Sequence, residues 1–149
     1  MTEVAFYHLQ RAPLDAVLPR LLERTLAANR RALVLVGSAE RVEALAGLLW
    51  TYRSDSWLPH GTVKDGTAAD QPIWLSDKDD NPNAATYLFL TDGAGSLRMA
   101  EFERCFDLFD GNDEAAVAAA RERWTALKVG GHTLTYWQQD GQGKWEKRA

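Results

Sequence analysis

The run Arg31-Ala32-Leu33-Val34-Leu35-Val36 constrains this chain's fold more than any other feature. A strand with one wet face alternates apolar and polar residues, whereas a run without alternation is covered on both faces, as in parallel sheets flanked by helices. Before it, Val4-Ala5-Phe6-Tyr7-His8-Leu9 reads as a strand, and Leu14, Val17, Leu18, Leu21, Leu22 and Leu26 recur at helical spacing. After it, Gly37-Ser38 offers a turn and a hydroxyl N-cap. A second helix follows with Val42, Leu45, Leu48 and Leu49, ending near Tyr52. This β-α-β-α opening predicts the α/β class: a single-domain, three-layer α/β/α arrangement with a mostly parallel or mixed central sheet of Rossmann-like topology and outer helices. A length of 149 residues suits one such domain over 1–149.

The rest of the chain fits that frame. Pro13 suits the first turn of the first helix, while Pro19 removes an amide, so the helix either kinks or starts there. Residues 53–71 show little periodicity and read as a surface excursion around Trp57-Leu58-Pro59-His60. Strands are expected at Pro72-Ile73-Trp74-Leu75-Ser76, Thr86 to Leu90 and Arg104 to Phe109, with a short turn around Met99 to Phe102. Asn112 is expected to cap a last long helix, with Asp113 and Glu114 at its positive end, Lys128 at its negative end and Gly130-Gly131 stopping it. Thr133 to Gln138 alternates as a final strand, and residues 141–149 read as a poorly ordered tail in which Trp145 can dock.

Composition excludes several functions. Lys and Arg total 17 against 21 Asp and Glu, a formal charge of −4 that disfavours broad electrostatic adhesion to nucleic acid. The single Cys105 allows no internal disulfide and no thiol ligand cluster, and suits a reducing cytoplasm. No basic segment leads into an apolar stretch and no run is long enough to cross a bilayer, so export and membrane insertion are not expected. Six tryptophans, at 50, 57, 74, 124, 137 and 145, are the oddest feature: most are expected in the core, where buried aromatics dominate, yet indoles are also enriched where proteins meet.

Catalytic and cofactor motifs are missing. Val36-Gly37-Ser38 and Thr91-Asp92-Gly93-Ala94-Gly95 sit where an α/β protein could cradle phosphate, yet neither has a phosphate-loop lysine or a three-glycine fingerprint. Asp77, Asp79, Asn81 and Asn83 alternate like calcium ligands, but Pro82 and Leu88 occupy the places of the required glycine and glutamate, so a solvated turn is expected. His8, His60 and His132 have no partner at metal-ligand spacing. No metal or cofactor is expected, and Cys105 reads as a small buried hydrophobe.

In the last helix Val117, Ala120, Trp124 and Leu127 share one stripe, bordered by Arg121, Thr125 and Lys128. A cation beside an indole can receive a carboxylate next to an apolar side chain, as at the end of another polypeptide.

These residues also carry a likeness. Phe6-Tyr7, Leu49-Trp50, Trp57-Leu58-Pro59-His60 and Arg121-Glu122-Arg123-Trp124 leading to Lys128-Val129-Gly130-Gly131 resemble, in order and spacing, the chi subunit family of bacterial DNA polymerase III. The Asn81-Pro82-Asn83 loop is similar to the alphaproteobacterial forms. The resemblance implies a clamp-loader accessory protein without catalysis of its own, part of a DNA-directed DNA polymerase complex. It implies an adaptor that binds the acidic, Phe-terminated tail of single-stranded DNA-binding protein and so associates indirectly with single-stranded DNA. By position, Arg121 would meet the tail's carboxylates, Trp124 would form an aromatic wall where the family often has Tyr, and Phe109 would add apolar floor. Thr125 departs from a pattern that often has Lys, leaving Arg121 and Lys128 to supply the attraction. Trp50, Trp57, Leu58, Pro59 and His60 would face a second partner: the psi subunit, the clamp loader itself or a helicase. The alternative is a nucleotide-binding or enzymatic module on the same kind of sheet.

Overall fold

A computed structural model describes residues 2–10, 12–51 and 58–149. Among them, strands β1 (Glu3–Leu9), β2 (Ala32–Leu35), β3 (Ile73–Ser76), β4 (Tyr87–Leu90), β5 (Arg104–Asp110), β6 (Thr133–Gln139) and β7 (Trp145–Lys147) form one sheet. Their spatial order is β3-β2-β4-β5-β1-β6-β7. All neighbours are parallel except β7, which returns antiparallel on β6.

Helices α1 (Leu14–Ala27) and α2 (Ala39–Thr51) pack on one face, and α3 (Glu114–Val129) on the other. The α/β/α layering expected from the sequence is therefore present, and β2 shows why it was legible. Ala32 and Val34 enter the core beneath α1 and α2, while Leu33 and Leu35 enter the core beneath α3. Burial on both faces removes any reason for alternation.

Helix α1 begins at Leu14 and carries Pro19 inside it; Pro13 accepts from the amides of Ala16 and Val17 at 3.0 and 3.2 Å. Ser38 caps α2 as expected, its Oγ accepting from the Arg41 amide at 3.2 Å. Asn112 does not cap α3. Asp113 does, accepting from the amides of Ala115 and Ala116 at 3.0 and 3.4 Å, while Asn112 donates to the Gln10 carbonyl. A carboxylate at the positive end gains charge as well as hydrogen bonds, which an amide cannot match.

Helix α3 ends in a Schellman turn. Gly131 adopts φ +85°, and the His132 and Gly131 amides reach back to the carbonyls of Leu127 and Lys128. This reversal leads directly into β6. The segment read as a tail carries β7, anchored by the Arg148 amide donating to the Tyr136 carbonyl at 2.7 Å.

The loop from Asp77 to Ala85 does more than turn. Asn81 clamps Ala85 through both its amide and its carbonyl, as local side-chain bonding predicts. Asn83, fully buried, donates to the carbonyls of Ala32 and Gln71, tying the loop to β2. Cys105 is buried in the core under α3, where desolvation pushes its thiol up to about 12. It is an inert packing residue.

Candidate functional site

Alternation in the strands decides which side chains meet α3. Val4, Phe6 and His8 of β1 point to its side, as do Cys105, Asp107 and Phe109 of β5. Parallel register sets His8 opposite Phe109 and Phe6 opposite Tyr136 of β6. Trp124 of α3 lands edge-on to Phe6 and Tyr136, with centroids 5.4 and 5.9 Å away. His8 joins Phe109 at 5.1 Å and Tyr136 at 5.9 Å. Five rings from three strands and one helix form a continuous aromatic wall, each edge-to-face pair contributing about 0.5–1.5 kcal/mol beyond burial.

Of the expected tail-site residues, Phe109 is buried as a floor and Trp124 is half-buried above it, while Arg121, Thr125 and Lys128 are exposed. Thr125 turns its hydroxyl back to the Arg121 carbonyl at 3.1 Å, and so faces its own helix. Arg121 makes no ion pair among the described residues, yet its charge acts on both His8 and Tyr136. The neighbouring Arg123 differs entirely. It donates twice to buried Asp107, at 2.7 and 2.9 Å, and is consumed there.

His8 and Tyr136 were not identified from the sequence. Their Nδ1 and hydroxyl lie 2.5 Å apart, and Gly111 packs so closely that a Cβ there would overlap the His8 ring. The alternating Phe6-Tyr7-His8 and Leu134-Thr135-Tyr136 patterns gave their face, but strand order, which joins β1 to β6, lay beyond the sequence.

Burial pulls the His8 pKa below its ordinary 6.5; the Gly111 backbone opposes, and Arg121 adds to the lowering. A base depressed in the folded state contributes stability above pH 6.5 that is lost as pH falls towards its folded value, because the unfolded chain takes the proton first. Urea unfolding at stepped pH should therefore show the stability advantage of the native protein over His8→Gln shrinking below pH 6.5. A constant difference would reject this.

The second-partner residues divide. Trp50 is 62% exposed and its ring lies 5.0 Å from that of His60. Pro59 is half-buried, whereas Leu58 and His60 are 2% and 8% exposed. His60 bonds to the carbonyls of Leu58 and Ala46, which fastens the excursion to α2. Leu58 and His60 thus support the surface and do not form it; Trp57 lies outside the described residues.

A crevice of about 880 Å³ opens at the carboxyl ends of the strands, where open α/β sheets bind ligands. Its lining does not suit phosphate. Arg41 is paired with Asp92 and Arg123 with Asp107, and Asp15, Asp110 and Asp113 add negative charge. No group of three or more metal-binding side chains occurs among the described residues. No described helix is long and apolar enough to cross a membrane.

A family model described as DNA polymerase III chi subunit, HolC, matches residues 1–135. A protein named "Probable DNA polymerase III subunit chi" from Rickettsia prowazekii (strain Madrid E) is 31% identical over 109 residues. That stretch is 71% of this chain and 66% of the relative, just under two thirds of its length. A family model that spans nearly the whole chain settles the membership which the likeness in sequence suggested: the chain belongs to the DNA polymerase III chi subunit family.

Proposed function

We propose that this protein is a replication adaptor that holds the acidic, Phe-terminated tail of single-stranded DNA-binding protein on α3 and links it to the replicase. The observation that carries the reading is the contrast between two arginines two positions apart in one turn of helix. Arg123 is spent on Asp107, whereas Arg121 stands exposed beside Trp124 without a carboxylate partner among the described residues. A guanidinium left unpaired at the rim of a half-buried indole offers a carboxylate two parallel hydrogen bonds, and the indole offers the adjacent phenyl ring a flat wall. Lys128 lies about two turns further along α3 and extends the positive edge towards the tail's other acids. As an accessory subunit it needs no nucleophile. The inert Cys105 and the acid-lined crevice fit that role better than a nucleotide-binding one.

The test is calorimetric titration of the protein and its Arg121→Ala variant with an acidic peptide ending in phenylalanine. Absence of saturable heat with the native protein would sink the reading.

For the second partner, Trp50 is the anchor, with Pro59 beside it. Large exposed aromatics are where interface energy concentrates. Trp50→Ala should leave peptide binding unchanged and reduce recovery of psi or clamp-loader subunits in a pull-down. Undiminished recovery would move the tether elsewhere.

A further inference from the structure

On the face opposite α3, helices α1 and α2 cover the sheet from β3 to β5. Beyond them Tyr7 of β1, Trp137 of β6 and Trp145 of β7 are only partly buried. Tyr7 and Trp137 are register neighbours with nearly parallel rings, 15° apart and 6.3 Å between centroids. Trp145 stands edge-on to Tyr7 at 5.1 Å. Trp137 Nε1 donates to Thr135 Oγ1 at 3.1 Å, which fixes the indole without using its face.

Cations gather here although the whole chain is acidic. Arg104 lies 5.1 Å over the Phe106 ring, and its charge and that of Arg24 both act on Tyr7. Lys147 pairs in register with Trp137 and so shares its face. Glu3 is loosely held by Arg104 at 3.7 Å, while Glu146, one residue off in the alternation, turns to the other face and takes Arg148. Residues 136–149, which supply both indoles and Lys147, lie beyond the family match.

We propose that this face is a stacking platform for single-stranded nucleic acid, separate from the tail site. The solvent-facing sides of the two half-buried indoles accept any base, with Tyr7 packed between them as support, and Arg24, Arg104 and Lys147 meet the phosphates between the bases. A duplex keeps its bases stacked on one another and offers only phosphate, so it is the poorer ligand. The formal charge of −4 argues against broad adhesion and leaves a local patch of this size intact.

Fluorescence anisotropy with a labelled oligo-dT of about 15 nucleotides tests the proposal, spanning the site size expected of such a groove. The expected result is saturable binding that weakens with salt on a log-log slope of about −2, the value for three phosphates on a single strand. Trp145→Ala should weaken it about tenfold. Lys147→Glu, which leaves the rings in place and so covers any disturbance of the β6–β7 hairpin by Trp145→Ala, should weaken it and flatten the slope. Arg121→Ala should bind the oligonucleotide normally, so failure here leaves the tail reading untouched. No binding, equal affinity for duplex, or indifference to both platform variants would overturn the proposal. So would sedimentation showing that the face pairs two copies of the chain and that oligo-dT does not displace the second copy.

Discussion

Arg123→Ala should destabilise the protein by about 3–5 kcal/mol, the cost of leaving a buried carboxylate without its partner. Asp107 is 2% exposed in the middle of β5, and both its oxygens are taken by the one guanidinium. Burial already raises its pKa above 3.8 against the opposing pull of Arg123. Without the arginine, Asp107 must either stay charged in a dry setting or take a proton. The sign follows from that choice: a carboxyl whose folded pKa is raised favours folding below pH 3.8 and loses that contribution as pH rises through the folded value. The deficit of Arg123→Ala should accordingly be largest at neutral pH and shrink in acid. Urea unfolding measures it, and a double variant, Arg123→Met with Asp107→Leu, should regain most of the loss because no charge then needs a partner. A loss under about 1 kcal/mol at neutral pH would show that water reaches Asp107 after all.

Arg121→Ala should do the reverse. Its side chain is exposed and makes no ion pair among the described residues, so folding stability should change by no more than about 0.5 kcal/mol. Binding of an acidic peptide ending in phenylalanine should weaken by about 1.5–3 kcal/mol, the range for hydrogen bonds to charged groups. Arg121→Lys should recover charge without the planar fork, and so only part of the affinity. Removing the peptide's terminal carboxylate by amidation should cost the native protein more than it costs Arg121→Ala, since the variant has already lost that contact. Equal affinity of native and Arg121→Ala protein for the free-acid peptide would place the receptor elsewhere.

The two arginines also mark the limit of what the chain discloses as text. Helical spacing put Arg121 beside Trp124, and the unbroken apolar run of β2 gave the layered α/β architecture. Nothing local distinguished Arg121 from Arg123. That distinction depends on Asp107, 16 residues earlier on a strand whose face is fixed only once β5 is placed between β4 and β1. His8 and Tyr136 were hidden for the same reason: 128 residues separate them, and only strand order brings their rings together. The burial of Leu58 and His60 was not legible because an aperiodic segment gives no face to read: Leu58 enters the core beneath α1 and α2, and the His60 ring bonds to carbonyls of α2 and its own loop. In Asn112-Asp113, two adjacent residues of similar capping preference competed, and charge at the helix end decided between them.

The margins of the sheet have a consequence for how this protein behaves at high concentration. On one side Gly61 occupies part of the open hydrogen-bonding row of β3, its amide donating to Ile73 and its carbonyl accepting from Leu75, each at 3.0 Å. On the other, β7 presents three residues that include Glu146 and Lys147. An uncapped β6 would offer seven residues containing Leu134, Tyr136 and Trp137, a template on which other chains could add strand to strand. The closing hairpin thus also guards against amyloid-like growth, and a chain cut before Gly141 would forfeit that protection.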